Sequence, residues 1–147
     1  MKLKTILLTT AVSSMAFGAH AADLTVMSWG GSYTKSQVEA YHKPFTAETG
    51  ISITSVDSDN PATPIKAQVE AGNVTVDVAD VEFSDAVRLC DEGLLEEIDT
   101  SILPPAPDGT AATDDFIEGA IQDCAIANIV WSTVFAFNRD NNETAPD

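Results

Sequence analysis

Two short clusters hold the side chains with which this chain can do chemistry. Trp29-Gly30-Gly31-Ser32-Tyr33 joins two aromatic rings, a glycine turn and two hydroxyls within five residues, and Asp80-Val81-Glu82 sets two carboxylates two apart. Carboxylates hold an ammonium group through charge-assisted hydrogen bonds, and an indole face adds a cation–π attraction of about 0.5–2 kcal/mol. Trp131-Ser132 is a second aromatic–hydroxyl pair, inside the apolar run 125–137. The same residues have simpler uses. Trp29 and Trp131 also fit core positions, and Asp80 and Glu82 also fit as ordinary acidic charges ahead of a helix. Gly30-Gly31-Ser32 opens a helix, and the first amides of a helix favour an anion, so an anionic ligand competes with a cationic one.

Nucleophilic and redox chemistry find no such grouping. His42 is the one histidine beyond residue 21, and no GxSxG elbow accompanies it. GxGxxG and the P-loop lysine are missing from the glycine turn, which argues against a nucleotide site. The reading assigns no catalytic residue, metal or cofactor. Cys90 and Cys124 lack redox spacing. In an exported chain they are expected to pair, closing a loop of about 35 residues worth roughly 4 kcal/mol on the chain-entropy model.

These clusters need elements to hold them. Residues 24–29 form a nearly unbroken apolar run, as in a strand covered on both faces. Ser32 is an expected N-cap for a helix over 33–48, with Val38, Tyr41 and Phe45 making one apolar stripe. Gly50 ends that helix, and Ile, Ile and Val alternate with polar residues in a second strand over 51–56. A helix over 62–71, a β-branched strand over 74–81 and a helix capped by Ser84 and running to Glu92 follow. The order βαβαβα predicts an α/β fold whose mostly parallel sheet has helices on both faces. Asp80 and Glu82 then share one sheet edge with Trp29, and in such folds that edge is where ligands bind. Residues 99–115, with Pro104, Pro105 and Pro107, read as a surface loop. The run 125–137 reads as one or two strands passing through the molecule.

The N-terminus has the three parts of a secretory signal: Lys2 and Lys4, an apolar stretch over 6–17, and Ala19-His20-Ala21 ahead of cleavage. The signal contains both lysines and no acid. The remaining 126 residues therefore hold 5 Lys and Arg against 23 Asp and Glu, more negative still than the −16 of the whole chain. Such a field repels nucleic acid and attracts cations. Asn73-Val74-Thr75 and Asn142-Glu143-Thr144 match the glycosylation pattern, which is common by chance.

Taken together, "LTVMSWGGSYTKSQVEAYHKPFTAETGI", "IKAQVEAGNVTVDVADVE", "LCDEGLLEEID" and "QDCAIANIVWSTVFAFN" resemble the opening half of a periplasmic solute-binding protein of the ABC importers. The similarity is greatest to the spermidine/putrescine-binding type. It implies a periplasmic-binding-protein type II-like architecture in which two α/β lobes trap a solute between them. It further implies delivery to an inner-membrane permease, with no catalysis by the receptor. On that reading 1–21 is the signal, 22–132 the first lobe, and 133–147 a crossover strand entering a second lobe that lies beyond this sequence. The resemblance implies ligand contacts from Trp29, Gly30, Gly31, Ser32 and Tyr33, from Asp80 and Glu82, and from Trp131 and Ser132. A polyamine is the expected solute. Phosphonate, thiamine or iron is the alternative within the same architecture, and an exported enzyme the alternative outside it. A monomer in the periplasm is expected.

Overall fold

The computed structural model describes residues 23–138 and Asp140. The export signal, the 141–147 tail and the Asn142 glycosylation pattern lie outside the described residues.

Strand β1 (Leu24–Ser28) is the centre of a three-stranded parallel sheet of order β2-β1-β3. It pairs with β2 (Ile53–Asp57) from Leu24↔Ile53 to Ser28↔Asp57, and with β3 (Val78–Ala79) through Val26↔Val78 and Met27↔Ala79. Between β1 and β2 the chain runs through helix α1 (Gly31–Gln37), a π-helical segment (Val38–His42) and helix α2 (Lys43–Thr49). Between β2 and β3 it runs through α3 (Ala62–Glu70). Right-handed crossovers in opposite directions along one sheet put these connections on opposite faces. The expected α/β organisation is therefore present.

The core sits on the α3 side. Ala62, Ile65 and the fully covered Leu89 meet there, with Val69, Ala79, Val81, Leu94 and Leu95 packed around them. Leu89 belongs to α4 (Phe83–Asp91), whose N-cap is Glu82, in place of the expected Ser84. Cys90 on the same helix forms the expected disulfide with Cys124, with an S–S distance of 2.05 Å. That bond and Ile98 N–H donating to Asp123 C=O at 2.7 Å fasten 94–124 to the body. The expected loop includes a 3₁₀ turn (Thr100–Ile102) and a short helix α5 (Ala112–Asp115). Among the described residues no helix is long and apolar enough to cross a membrane.

Several elements differ from the sequence reading, each for a local reason. The strand expected over 74–81 shrinks to two residues. Thr75 donates both its N–H and its hydroxyl to Gln68 Oε1, and Asp77 Oδ2 accepts from Thr25 N–H at 2.7 Å. Side chains there take the place of the ladder. The stripe Val38–Tyr41–Phe45 does not form: Tyr41 is 55% exposed, Phe45 is also exposed, and His42 and Thr46 take the half-buried positions. The π segment advances the covered face from every fourth to the fifth residue. The strands expected over 125–137 are absent beyond an isolated bridge, Ile121↔Ile126. Among the described residues no strand runs beside that stretch to share a ladder, and Val130, Val134 and Phe135 stand exposed.

Candidate functional site

The carboxyl ends of the three strands bring two acids to either side of Ser28. Asp57 is level with Ser28 on β2, and Asp80 directly follows Ala79, the partner of Met27. Asp80 N–H donates to Met27 C=O at 2.9 Å and so continues the ladder. Spacing of neighbouring strands puts the backbones of the two acids roughly 10 Å apart. Strand alternation turns Ser28, Asp57 and Asp80 toward the α1 face.

Helix α1 closes onto this edge. Tyr33 Oη donates to Asp80 Oδ2 at 2.7 Å, and Gln37 Nε2 donates to the same oxygen at 2.6 Å. Ser28 Oγ donates to Gln37 Oε1 at 2.6 Å and lies 3.5 Å from Asp80 Oδ2. Tyr33 and Gln37 are four residues apart, hence neighbours on one helix face. Burial and, after it, the bond to Asp80 push the Tyr33 phenol above its ordinary titration range. Phenolate formed there would face a carboxylate in a partly dry setting.

The turn into α1 depends on glycine. Gly30 has φ 84° and ψ −176°, and a Cβ built on it would lie 3.2 Å from Asp57 Cγ. An L residue meets a backbone penalty and a carboxylate at the same point. Gly30, not Ser32, is the N-cap, and its N–H donates to Thr34 Oγ1 at 2.8 Å. Thr34 N–H returns a bond to Gly30 C=O. Gly31 and Ser32 are exposed.

The sequence-predicted residues thus fall into three groups. Tyr33 and Asp80 are bonded to each other beside Gly30. Glu82 and Trp131 form a second pair, the indole Nε1 donating to Glu82 Oε2 at 3.3 Å with the ring 61% exposed. Trp29, half-buried at the end of β1, and the exposed Gly31, Ser32 and Ser132 make no side-chain hydrogen bond among the described residues. Sequence reasoning missed Ser28, Gln37 and Asp57. The i,i+4 spacing of Gln37 from Tyr33 was the available signal for one of them.

Away from this edge, a cavity of about 310 Å³ lies between the π segment, α2 and β2, lined in part by Val38, His42, Ile53 and Ser55. His42 Nδ1 and Ser55 Oγ are hydrogen-bonded at 3.0 Å, and burial lowers the imidazole pKa. No acid orients that ring among the described residues. The pair lacks the third member of a hydrolytic triad.

The γ-aminobutyric acid-binding protein of Pseudomonas aeruginosa is 36% identical over 128 residues, which cover 87% of this chain and 34% of the relative. Among solved structures, the periplasmic binding protein AgtB of A. tumefaciens R10 with agropinic acid is 37% identical at a TM-score of 0.53, over 57% of this chain and 26% of that one. MotA of A. tumefaciens B6 with glucopine is 28% identical at a TM-score of 0.60, over 69% and 28%. These likenesses establish a periplasmic-binding-protein-like fold, and the chain spans about a third of the length of the curated relative it matches. Sheet order, glycine turn and disulfide-tied helix all belong to a sequence that matches the model of bacterial extracellular solute-binding proteins over residues 40–146, and the chain is a member of that family.

Proposed function

We propose that this chain is the first-lobe part of a periplasmic receptor that captures a small amine-bearing carboxylate and hands it to an ABC permease. Residues 22–132 form the lobe, 133–147 lead toward the second lobe, and 1–21 are the export signal. The observation that carries this reading is the carboxylate of Asp80, held at the strand edge by Tyr33 and Gln37 through a single oxygen. An acid tied at one oxygen and level with Asp57 suits an ammonium group. Trp29, at the end of β1, and the exposed ring of Trp131 supply aromatic faces for the same charge. γ-Aminobutyrate, bound by the Pseudomonas relative, combines an ammonium with a carboxylate. In this reading the second lobe answers the carboxylate, and Gly31 and Ser32 contribute only solvent-facing amides. No step of bond making is involved. Binding energy closes the lobes, and the closed form is what the permease accepts.

A second reading keeps the architecture and takes a polyamine. The net charge of −16 and two carboxylates on one edge favour it. Isothermal titration of the entire translated product separates the two. Saturable binding of γ-aminobutyrate, weakened at least about tenfold by Asp80→Asn, is expected. Saturation by putrescine or spermidine alone would transfer the assignment to the polyamine reading. Absence of binding by any amine would overturn the cation edge.

A further inference from the structure

Gln37 is 6% exposed, one of three buried polar side chains among the described residues. Buried amides persist where they are hydrogen-bonded, and both ends of this one are committed. Oε1 accepts from Ser28 Oγ and Nε2 donates to Asp80 Oδ2, each at 2.6 Å. Ser28 has one proton, and the shorter contact takes it. The 3.5 Å approach of Ser28 Oγ to Asp80 Oδ2 is then without a proton. A reversed amide would set Oε1 against the carboxylate, so the network admits a single orientation. Tyr33 adds a second donor to the same Oδ2, while Oδ1 accepts no hydrogen bond among the described residues.

Helix geometry marks the same residue. The π segment starts at Val38, immediately after Gln37. Continued α-helix would carry the Tyr33–Gln37 face on to Tyr41, yet Tyr41 is 55% exposed and His42 is half-buried in its place. Single π turns of this kind concentrate at functional sites.

We propose that Gln37 is a positioning residue that sets solute specificity by dividing the oxygens of Asp80, holding Oδ2 for the protein and leaving Oδ1 for the ammonium of the solute. The proposal rests on the amine-binding reading of this edge.

The test compares γ-aminobutyrate with butyrate, which has the carboxylate without the ammonium. Both are titrated into the entire translated product, butyrate by competition. Gln37→Met keeps the side-chain volume and removes both bonds. It is expected to weaken γ-aminobutyrate roughly tenfold and leave butyrate unchanged, so that discrimination between them falls by the same factor. Equal weakening of both ligands marks a merely structural glutamine and overturns the proposal, as does unchanged discrimination. Ser28→Ala removes only the bond that fixes the amide and is expected to lower discrimination in the same direction by a smaller factor. It decides the matter if Gln37→Met does not fold, and unchanged discrimination in Ser28→Ala then overturns the proposal. A parent protein that binds no amine overturns the receptor reading itself, and this proposal with it.

Discussion

Tyr33 reaches across 47 residues of sequence to donate its phenolic proton to Asp80 at 2.7 Å, fastening helix α1 to the end of β3. With Gln37 and Ser28 it makes a polar knot at the point where three strands end. A crossing of that kind gives an otherwise thin sheet a defined mouth. The core of apolar side chains lies on the other face, around Leu89.

The knot predicts an alkaline signature. Burial first, and the bond to Asp80 next, raise Tyr33 above the ordinary phenol value of 10.0. A phenol raised in the folded state contributes stability that is fully present below its unfolded pKa and lost as pH climbs above it. Asp80→Asn removes the adjacent charge, and with it the charge-assisted bond, but leaves the burial. Ultraviolet difference absorbance should show Tyr33 ionising at lower pH in Asp80→Asn than in the parent, though still above the free phenol. An unchanged titration would deny the coupling between them.

Gly30→Ala should cost about 1–3 kcal/mol in urea unfolding, from the positive φ alone. Contact with Asp57 adds to that. Asp57→Ala in the same background takes away Cγ and Oδ2 but keeps Cβ at 3.3 Å, and should recover some of the contact part and none of the backbone part. Parental stability in Gly30→Ala would mean that the turn relaxes into another conformation.

His42 predicts an acid-side effect. Burial lowers its pKa, so the unfolded chain binds a proton that the folded chain resists. Stability should therefore fall as pH drops below about 6.5, ahead of the carboxylate range. In His42→Gln the thermal midpoint between pH 7 and pH 5 should be flatter than in the parent. Equal slopes would show that the imidazole is as free in the folded state as in the unfolded one.

Much of the α/β order was legible because it is written in local signals. Gly50 closes one helix, and the alternating apolar run over 51–56 marks β2. The shared edge of Trp29 and Asp80 followed from sheet order, since parallel strands present their carboxyl ends together, whereas the bond from Tyr33 to Asp80 had no such mark. Gln37 and Asp57 were hidden for different reasons. Asp57 looks like turn chemistry until strand register sets it beside Ser28. Gln37 is polar on a face expected to be apolar, and the π turn that follows it has no simple sequence mark. The run 125–137 misled because apolar composition states only that a segment wants cover. It does not supply the neighbouring strand that would make it a strand.

The π segment has one more consequence, for editing the chain. It carries one residue more than an α-helix of the same span would need. Removing Ala40 should wind the helix into uniform α geometry without touching Tyr33 or Gln37, which lie upstream, and should leave His42 and Thr46 on the face they already occupy, since His42 would then follow Gln37 by four residues. The helix is divided there into a half that serves the mouth of the sheet and a half that serves β2. The extra residue is absorbed at that junction, so a one-residue shortening there keeps both halves on their faces.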